Sequence, residues 1–266
     1  QRQMCIRDSS DIAFAPFERQ ARRAYALADA VVGTSDEYAA RPFRDRAEDI
    51  PKLVVYVGND LDEFDAGAAE NAGSVKKPEG EVWVAYAGNI SALYDLETLV
   101  EAVAIAAKLY PELRLKILGD GPERASVQTA VERTGAPAEL LGYMPYRVMA
   151  AWLKASDMVV NSLVANAPQS VPTKIGDYLA SGRPMINTSM NAEFREKVVR
   201  DGFGVNVVPG DTEGLARVIC ELVEDEAGRA RMGRVARELA AAQFDRPHSY
   251  EATVDLIRSL IAERSK

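Results

Sequence analysis

Short apolar runs alternate with amphipathic segments along most of the chain, starting at Glu81. Each run is bounded by turn-forming residues and has the length of a buried strand, whereas the segments between carry apolar residues at helical spacing. The helix predicted over Thr212–Glu224 is apolar at positions i, i+3, i+4, i+7 and i+8, which are Leu215, Val218, Ile219, Leu222 and Val223. Repeated pairs of strand and helix predict an α/β fold with a doubly wound parallel, Rossmann-like sheet.

The strands of this sheet are predicted at residues 82–87, 113–118, 138–141, 158–161, 184–187 and 205–208. The helices that connect them are predicted at residues 96–109, 124–134, 147–155, 173–181, 192–201 and 212–224. Two further helices, over residues 226–243 and 247–264, are predicted to end the chain. We therefore expect residues 81–245 to form one domain and the helix within residues 246–266 to cross back to a preceding one.

The segment before Glu81 has too few strands to complete a domain. It predicts a helix at residues 17–27 and strands at 28–34 and 52–57. We expect residues 10–66 to be the remnant of an N-terminal domain, and residues 67–80, which are small and polar, to be a linker. Residues 1–9 lack the apolar stretch of a signal peptide and resemble a translated adapter sequence. They are expected to be a non-native leader on a protein truncated at its N-terminus.

Composition excludes several classes of function. The 266 residues carry a formal charge of −8 with scattered Lys and Arg, which argues against nucleic acid as a partner. No apolar run is long enough to span a membrane. Cys5 and Cys220 provide no disulfide framework, so a reducing cytoplasm is the expected compartment. His248 is the only histidine, which excludes a histidine-based metal site.

The helix predicted at residues 173–181 lies between two buried strands and carries the most informative polar residues. Ser170 is a candidate N-cap, and Gly182 is suited to the left-handed C-terminal position. Thr173, Lys174 and Asp177 share one helical face. Because open parallel sheets bind anionic ligands where strands lead into helix N-termini, this face is a candidate phosphate site. An ordinary crossover helix with a solvated polar face remains the alternative.

Three other strand-to-helix loops carry candidate ligand contacts. The loop AGNIS offers Gly88 for close backbone approach, with Asn89 and Ser91 as hydrogen-bond donors to a diphosphate. The loop GDGPER begins at Gly119, and the loop GYMPY contains Tyr143 and Tyr146, either of which could stack on a base. Each has a simpler interpretation as a tight turn, a surface turn or an aromatic residue that packs its own loop.

The order of motifs resembles a known family. YAGN with DLETLVEA, then ILGDGPER, LLGYMP, SDMVVNS, PTKIGDYLASGRPMI, GFGVNVVPGD and FDR is similar to the C-terminal half of retaining family 4-like glycosyltransferases of the GT-B fold. ADAVVGTS and GNDLDEF resemble the end of that family's N-terminal, acceptor-binding domain. The resemblance implies that the C-terminal domain binds a sugar nucleotide.

The resemblance also assigns roles to individual residues. The family signature is a Glu, seven residues and a second Glu. Asp177 falls at the second position, whose residue holds the ribose hydroxyls in the family. Gln169 falls at the first position, whose Glu contacts the donor sugar in the family. Asn89 and Tyr94 replace the Arg and Lys that the family usually places near the diphosphate, and Lys174 is a candidate to restore one charge. The candidate donor-binding residues are Gly88, Asn89, Ser91, Gly119, Tyr143, Met144, Gln169, Ser170, Val171, Thr173, Lys174 and Asp177.

The sequence thus predicts a glycosyltransferase of cell-envelope polysaccharide biosynthesis that moves a sugar from a nucleotide diphosphate donor to an unidentified acceptor, with no cofactor and no protein-bound metal. No catalytic residue is assigned. The rival interpretations are a sugar-nucleotide epimerase or a phosphorylase of the same architecture, and a donor-binding module without catalysis. The expected setting is cytoplasmic, and peripheral contact with the inner membrane through an N-terminal domain stays open.

Overall fold

The structure is a computed structural model that describes residues 2–44, 49–167 and 171–265. The chain divides into two compact units, Val57–Ser249 and a smaller unit formed by Gln1–Tyr56 with Tyr250–Lys266. This division differs from the expected domain limits, because residues 57–80 belong to the larger unit rather than to an N-terminal remnant and a linker. The origin proposed for residues 1–9 and the truncation stay predictions.

The smaller unit contains α1 (Arg2–Leu27), β1 (Val31–Gly33), α2 (Asp36–Ala40) and β2 (Lys52–Val54). The two strands pair in parallel. Ser35 caps α2 by accepting a hydrogen bond from the Tyr38 N–H at 3.2 Å. The helix predicted at residues 17–27 extends back to Arg2, and both strands are shorter than predicted.

The larger unit is built on a parallel sheet of six strands in the order β5-β4-β3-β6-β7-β8. The strands are β3 (Val82–Ala87), β4 (Leu113–Leu118), β5 (Ala138–Gly142), β6 (Met158–Asn161), β7 (Met185–Asn187) and β8 (Gly204–Asn206). The α/β class and the doubly wound parallel sheet are confirmed. The apolar runs predicted these strands well because both faces of a parallel sheet are covered by helices.

The helices of this unit are α3 (Leu61–Asn71), α4 (Leu96–Ala106), α5 (Arg124–Thr134), α6 (Tyr146–Ala155), α7 (Ile175–Ala180), α8 (Ala192–Asp201), α9 (Thr212–Glu224) and α10 (Glu226–Leu239), with α11 (Arg246–Arg264) leaving it at its C-terminal end. One π-helical turn, Ala240–Phe244, separates α10 from α11. The described helix α7 is shorter than predicted and begins at Ile175 rather than Thr173. No helix among the described residues is long and apolar enough to cross a bilayer.

The linker prediction for residues 67–80 is wrong in its first part. Helix α3 runs through Asn71, and a 3₁₀ turn continues over Ala72–Ser74. Gly67 packs so closely on α6 that an added Cβ would lie 2.7 Å from the Arg147 Cα. The small residues that suggested a flexible linker instead allow two helices to approach closely.

Candidate functional site

The loops after β3, β4 and β5 are joined by backbone hydrogen bonds at the carboxyl edge of the sheet. The Gly88 N–H donates to the Leu118 carbonyl at 2.9 Å, and the Gly119 N–H donates to the Gly142 carbonyl at 2.8 Å. Gly119 has a φ of 138°, and an added Cβ would lie 1.9 Å from the Gly88 carbonyl oxygen. Glycine is therefore required where these loops meet.

Helix α7 is fastened to the end of β3 by one tyrosine hydroxyl. The Tyr178 hydroxyl accepts a hydrogen bond from the Ala87 N–H at 2.9 Å and donates to the Ala87 carbonyl at 3.1 Å. Ile175 and Leu179, on the apolar face predicted from the sequence, are fully buried. These contacts fix the first turn of α7 beside the loop after β3.

Lys174, immediately before α7, directs its ammonium group into this corner. The Nζ atom lies 4.0 Å from the ring centroid of Tyr86 and 3.7 Å from that of Tyr94. It is buried and has no hydrogen-bond partner among the described residues. An added Cβ on Gly88 would lie 3.1 Å from Nζ, so the amine adjoins the loop backbone. Burial lowers the pKa of Lys174 well below its usual value.

Asp177, one turn later, is held from one side. Its Oδ1 accepts a hydrogen bond from the Tyr146 hydroxyl at 2.9 Å and another from the Asn59 amide at 3.1 Å. Burial raises the pKa of Asp177, while these two hydrogen bonds and the charge of Arg246 oppose the shift. Burial and the neighbouring Asp177 carboxylate raise the pKa of the Tyr146 phenol, so it remains a hydrogen-bond donor.

Two adjoining cavities open at this edge. The larger, about 500 Å³, is lined by residues of the 57–63 segment, the end of β3, α6, α7 and the start of α11, among them Asn59, Gly88, Tyr146, Thr173, Lys174, Asp177 and Arg246. The second, about 350 Å³, is lined by Gly88, Asn89, Leu118, Gly119, Asp120, Tyr143, Met144 and Met149. Gly88 and Met149 line both, so a ligand of nucleotide size can extend from one cavity into the other.

The structure brings most of the candidate residues together. Eight of them line the two cavities, namely Gly88, Asn89, Gly119, Tyr143, Met144, Thr173, Lys174 and Asp177. Ser91 lies in the loop after β3, where its carbonyl accepts from the Tyr94 N–H, but it lines neither cavity. Val171 is partly buried and also lines neither. Gln169 and Ser170 lie outside the described residues, so the cap predicted at Ser170 is untested.

Sequence reasoning missed Asn59, Arg246 and the tyrosines that surround Lys174. Asn59 belongs to GNDLDEF and Arg246 to FDR, two motifs that were noted for family resemblance and not for chemistry. In the structure the two motifs lie side by side, because the backbone N–H of Arg246 donates to the Asn59 carbonyl at 2.8 Å. Pairing between segments so distant in sequence cannot be read from local pattern.

The sheet and the polar cavities at its carboxyl edge define a doubly wound α/β protein with a candidate ligand site at the usual edge of that fold. Residues 81–225 match the family described as Glycosyl transferases group 1. The match covers more than half of the chain, and the protein belongs to this family.

Two curated relatives illustrate the likeness. The lipopolysaccharide core biosynthesis glycosyltransferase LpsE of Rhizobium meliloti is 30% identical over 163 residues, which are 61% of this chain and 45% of the relative. The D-inositol 3-phosphate glycosyltransferase of Streptomyces avermitilis is 27% identical over 248 residues, 87% of this chain and 52% of the relative. The chain spans about half the length of these relatives.

Among solved structures, Anabaena HepE in complex with UDP superposes with a TM-score of 0.71 at 19% identity. The superposition covers 87% of this chain and 64% of that one. At this identity the likeness shows the shared GT-B type of fold.

Proposed function

We propose that this chain is the donor-binding part of a glycosyltransferase that transfers a sugar from a nucleoside diphosphate to an acceptor, with retention of configuration. The observation that carries the proposal is the buried Lys174 amine, which has no hydrogen-bond partner among the described residues. An unpaired buried polar group calls for a functional explanation, because an amine is normally paired when it is removed from water. A diphosphate beside Gly88 would supply the missing partner.

The two cavities fit the parts of a nucleoside diphosphate sugar. The diphosphate would lie against the Gly88 backbone, Thr173 and Lys174, and the ribose hydroxyls would donate to Asp177. The base would enter the second cavity beside Tyr143 and Met144. Support comes from relatives named as glycosyltransferases and from Anabaena HepE, which was solved with UDP.

Lys174 also accounts for a departure from the family pattern. The positions at which the family usually carries Arg and Lys after the first strand are Asn89 and Tyr94 here. The Lys174 ammonium lies 3.7 Å from the ring centroid of Tyr94, so a cation reaches the same corner from helix α7 instead of from the loop. A cation at this place would stabilise the departing diphosphate during transfer.

Donor binding and transfer would be divided between this chain and the remainder of a longer protein. The residues gathered at the carboxyl edge can hold a donor, and none of the described ones is assigned as a catalytic base. The acceptor would bind in a facing region supplied by the parent protein. The proposal includes no cofactor, since the nucleotide sugar is itself a substrate.

The test is calorimetric titration with UDP, ADP and GDP. We expect one of them to bind, and Lys174→Met to weaken that binding about ten- to a hundredfold, because a hydrogen bond to a charged group contributes roughly 1.5–3 kcal/mol. Lys116→Met is the matched control, since Lys116 is also a buried lysine over an aromatic ring but pairs with Glu139 away from the cavities. Absence of binding to all three at about millimolar concentration, or equal effects of the two substitutions, would contradict the proposal.

A further inference from the structure

Asn59 lies outside the residues that match the family, yet it lines the larger cavity. Its Nδ2 donates to Asp177 Oδ1 at 3.1 Å and to the Tyr146 hydroxyl oxygen at 3.3 Å. The residue is only 5% exposed. Two bonds from one buried amide tie a segment that precedes the sheet to helices α6 and α7.

The orientation of the Asn59 amide is dictated by Asp177. A carboxylate only accepts hydrogen bonds, so the NH₂ group and not the oxygen must face it. The consequence is that Asn59 Oδ1 is buried without a partner among the described residues, 3.4 Å from where a Cβ added to Gly176 would lie. The fold thus leaves one acceptor unpaired and places the donor on the carboxylate, which a purely packing side chain would not require.

The two carboxylate oxygens of Asp177 differ in their hydrogen bonds. Tyr146 and Asn59 both donate to Oδ1, and Oδ2 accepts nothing from the described residues. We propose that Asn59 is a positioning residue, which locks the Asp177 carboxylate so that Oδ2 faces the cavity and selects ligands with adjacent hydroxyl groups, as on ribose. This rests on the proposed function, because the ligand is the nucleoside diphosphate assigned above.

The backbone around Asn59 does not depend on its side chain. The Asn59 N–H donates to the Phe244 carbonyl at 2.9 Å, and the Asn59 carbonyl accepts from the Arg246 N–H at 2.8 Å. Substitutions that change only the amide therefore leave these anchors in place. Asn59→Leu has similar volume and removes both the donor and the unpaired oxygen.

The first experiment compares a ribonucleoside diphosphate with its 2′-deoxy form. The probe is whichever of UDP, ADP and GDP the wild type binds most tightly. Asn59→Leu should weaken binding of the ribonucleotide roughly tenfold and binding of the 2′-deoxynucleotide much less, because a misplaced Asp177 no longer accepts a hydrogen bond from the 2′-hydroxyl. Stability in urea should be unchanged or higher, since an unpaired buried acceptor is lost. Unchanged affinity, or an equal loss for both nucleotides, would overturn the inference.

A second variant tests the donor itself and decides the question if Asn59→Leu does not fold. Asn59→Asp sets a second carboxyl group against Asp177, and one of two carboxyl groups that share a site is protonated more readily. The protonated group donates as the amide did, so affinity relative to wild type should rise as pH falls from about 8 to about 5. A flat ratio would overturn the inference.

Other charged groups at this cavity are present in both proteins of that comparison. Lys174, Arg246, Asp60, Glu63 and Tyr146 line the same cavity and act equally on wild type and variant. The ratio of affinities therefore isolates the introduced carboxyl group. Wild type that binds none of the nucleotides would refute the proposed function, whereas binding that is indifferent to Asn59 would refute only the positioning role.

Discussion

Two groups of charged and aromatic side chains belong to the larger unit and differ in whether their polar atoms are paired. The Trp83 cluster comprises Lys77, Trp83, Lys116, Glu139 and Asp157. Lys116 is buried over the Trp83 ring at 4.5 Å and forms an ion pair with Glu139 at 2.6 Å. Asp157 accepts from the backbone N–H of Trp83 at 2.6 Å and from the Lys77 ammonium. Each charge in this cluster has an opposite charge in contact.

The Lys174 cluster comprises Asn59, Tyr86, Tyr94, Lys174 and Asp177. Its lysine also rests on aromatic rings, but no carboxylate contacts the amine among the described residues, and its carboxylate has hydrogen bonds on one oxygen only. Both clusters combine lysine, aspartate and aromatic rings. Pairing separates a stabilising arrangement from one that is prepared for a ligand, because the unpaired groups retain unused hydrogen-bonding capacity.

Substituting one aspartate in each cluster should give the largest contrast. Asp177→Ala should weaken nucleoside diphosphate binding about ten- to a hundredfold, because hydrogen bonds to a charged group contribute roughly 1.5–3 kcal/mol. Asp157→Ala should leave binding unchanged and lower the free energy of unfolding by about 1–3 kcal/mol, because it removes the acceptor for the buried backbone N–H of Trp83. Calorimetry and urea unfolding on both variants make the comparison.

The 2′-deoxynucleotide provides the control for this pair. It should bind wild type more weakly, and should bind Asp177→Ala about as well as the ribonucleotide does, because the same contact cannot be lost twice. An Asp177→Ala variant with wild-type affinity would show that Asp177 does not hold the ribose.

The sheet and most of its helices could be predicted because each strand carries its own local signal. The strands Val82–Ala87, Leu113–Leu118 and Met158–Asn161 have the predicted limits, since their apolar runs end abruptly at turn residues. The segment of residues 67–80 failed because an Ala- and Gly-rich sequence suits both a linker and a closely packed helix. Only its contacts with α6, such as the ion pair of Glu70 with Arg147, distinguish the two.

The site was predictable where one helix carries it. Lys174 and Asp177 share a helical face, so their proximity follows from spacing. The hydrogen-bond partners of Asp177 are Asn59 and Tyr146. They lie on segments distant in sequence, and their contact with Asp177 depends on the complete fold. The contact of the Tyr86 and Tyr94 rings with Lys174 could not be predicted either, because nothing in the local sequence of a strand residue and a loop residue indicates that they surround an amine.

Lys174 should impose opposite pH dependences on stability and on binding. Its pKa is lowered in the folded protein. Between the folded and the unfolded pKa, the unfolded chain therefore carries the proton and the folded chain does not. Stability therefore rises with pH in that window. An added diphosphate favours the charged amine, so ligand binding takes up a proton and weakens as pH rises through the pKa of the free protein.

Titrations in buffers of different ionisation enthalpy measure this proton uptake. Burial raises the pKa of both Tyr86 and Tyr94, which keeps these neighbouring phenols neutral through the window. Lys174→Met should abolish the proton uptake and remove the part of the pH dependence of stability that Lys174 causes. Proton uptake that persists in this variant would assign the titration to another group.

The smallest expected effect is the change in stability when each buried lysine becomes methionine. Lys116→Met keeps a flexible side chain on the Trp83 ring and loses a pair with Glu139, whose side chain is 56% exposed, so the loss should be only about 0.5–1 kcal/mol. Lys174→Met removes a buried amine that has no partner among the described residues, and replaces it by an apolar group of similar length. Its free energy of unfolding should therefore stay equal or increase. Urea unfolding at neutral pH measures both free energies. A larger loss of stability for Lys174→Met than for Lys116→Met would mean that Lys174 stabilises the fold and is not an unpaired group available to a ligand.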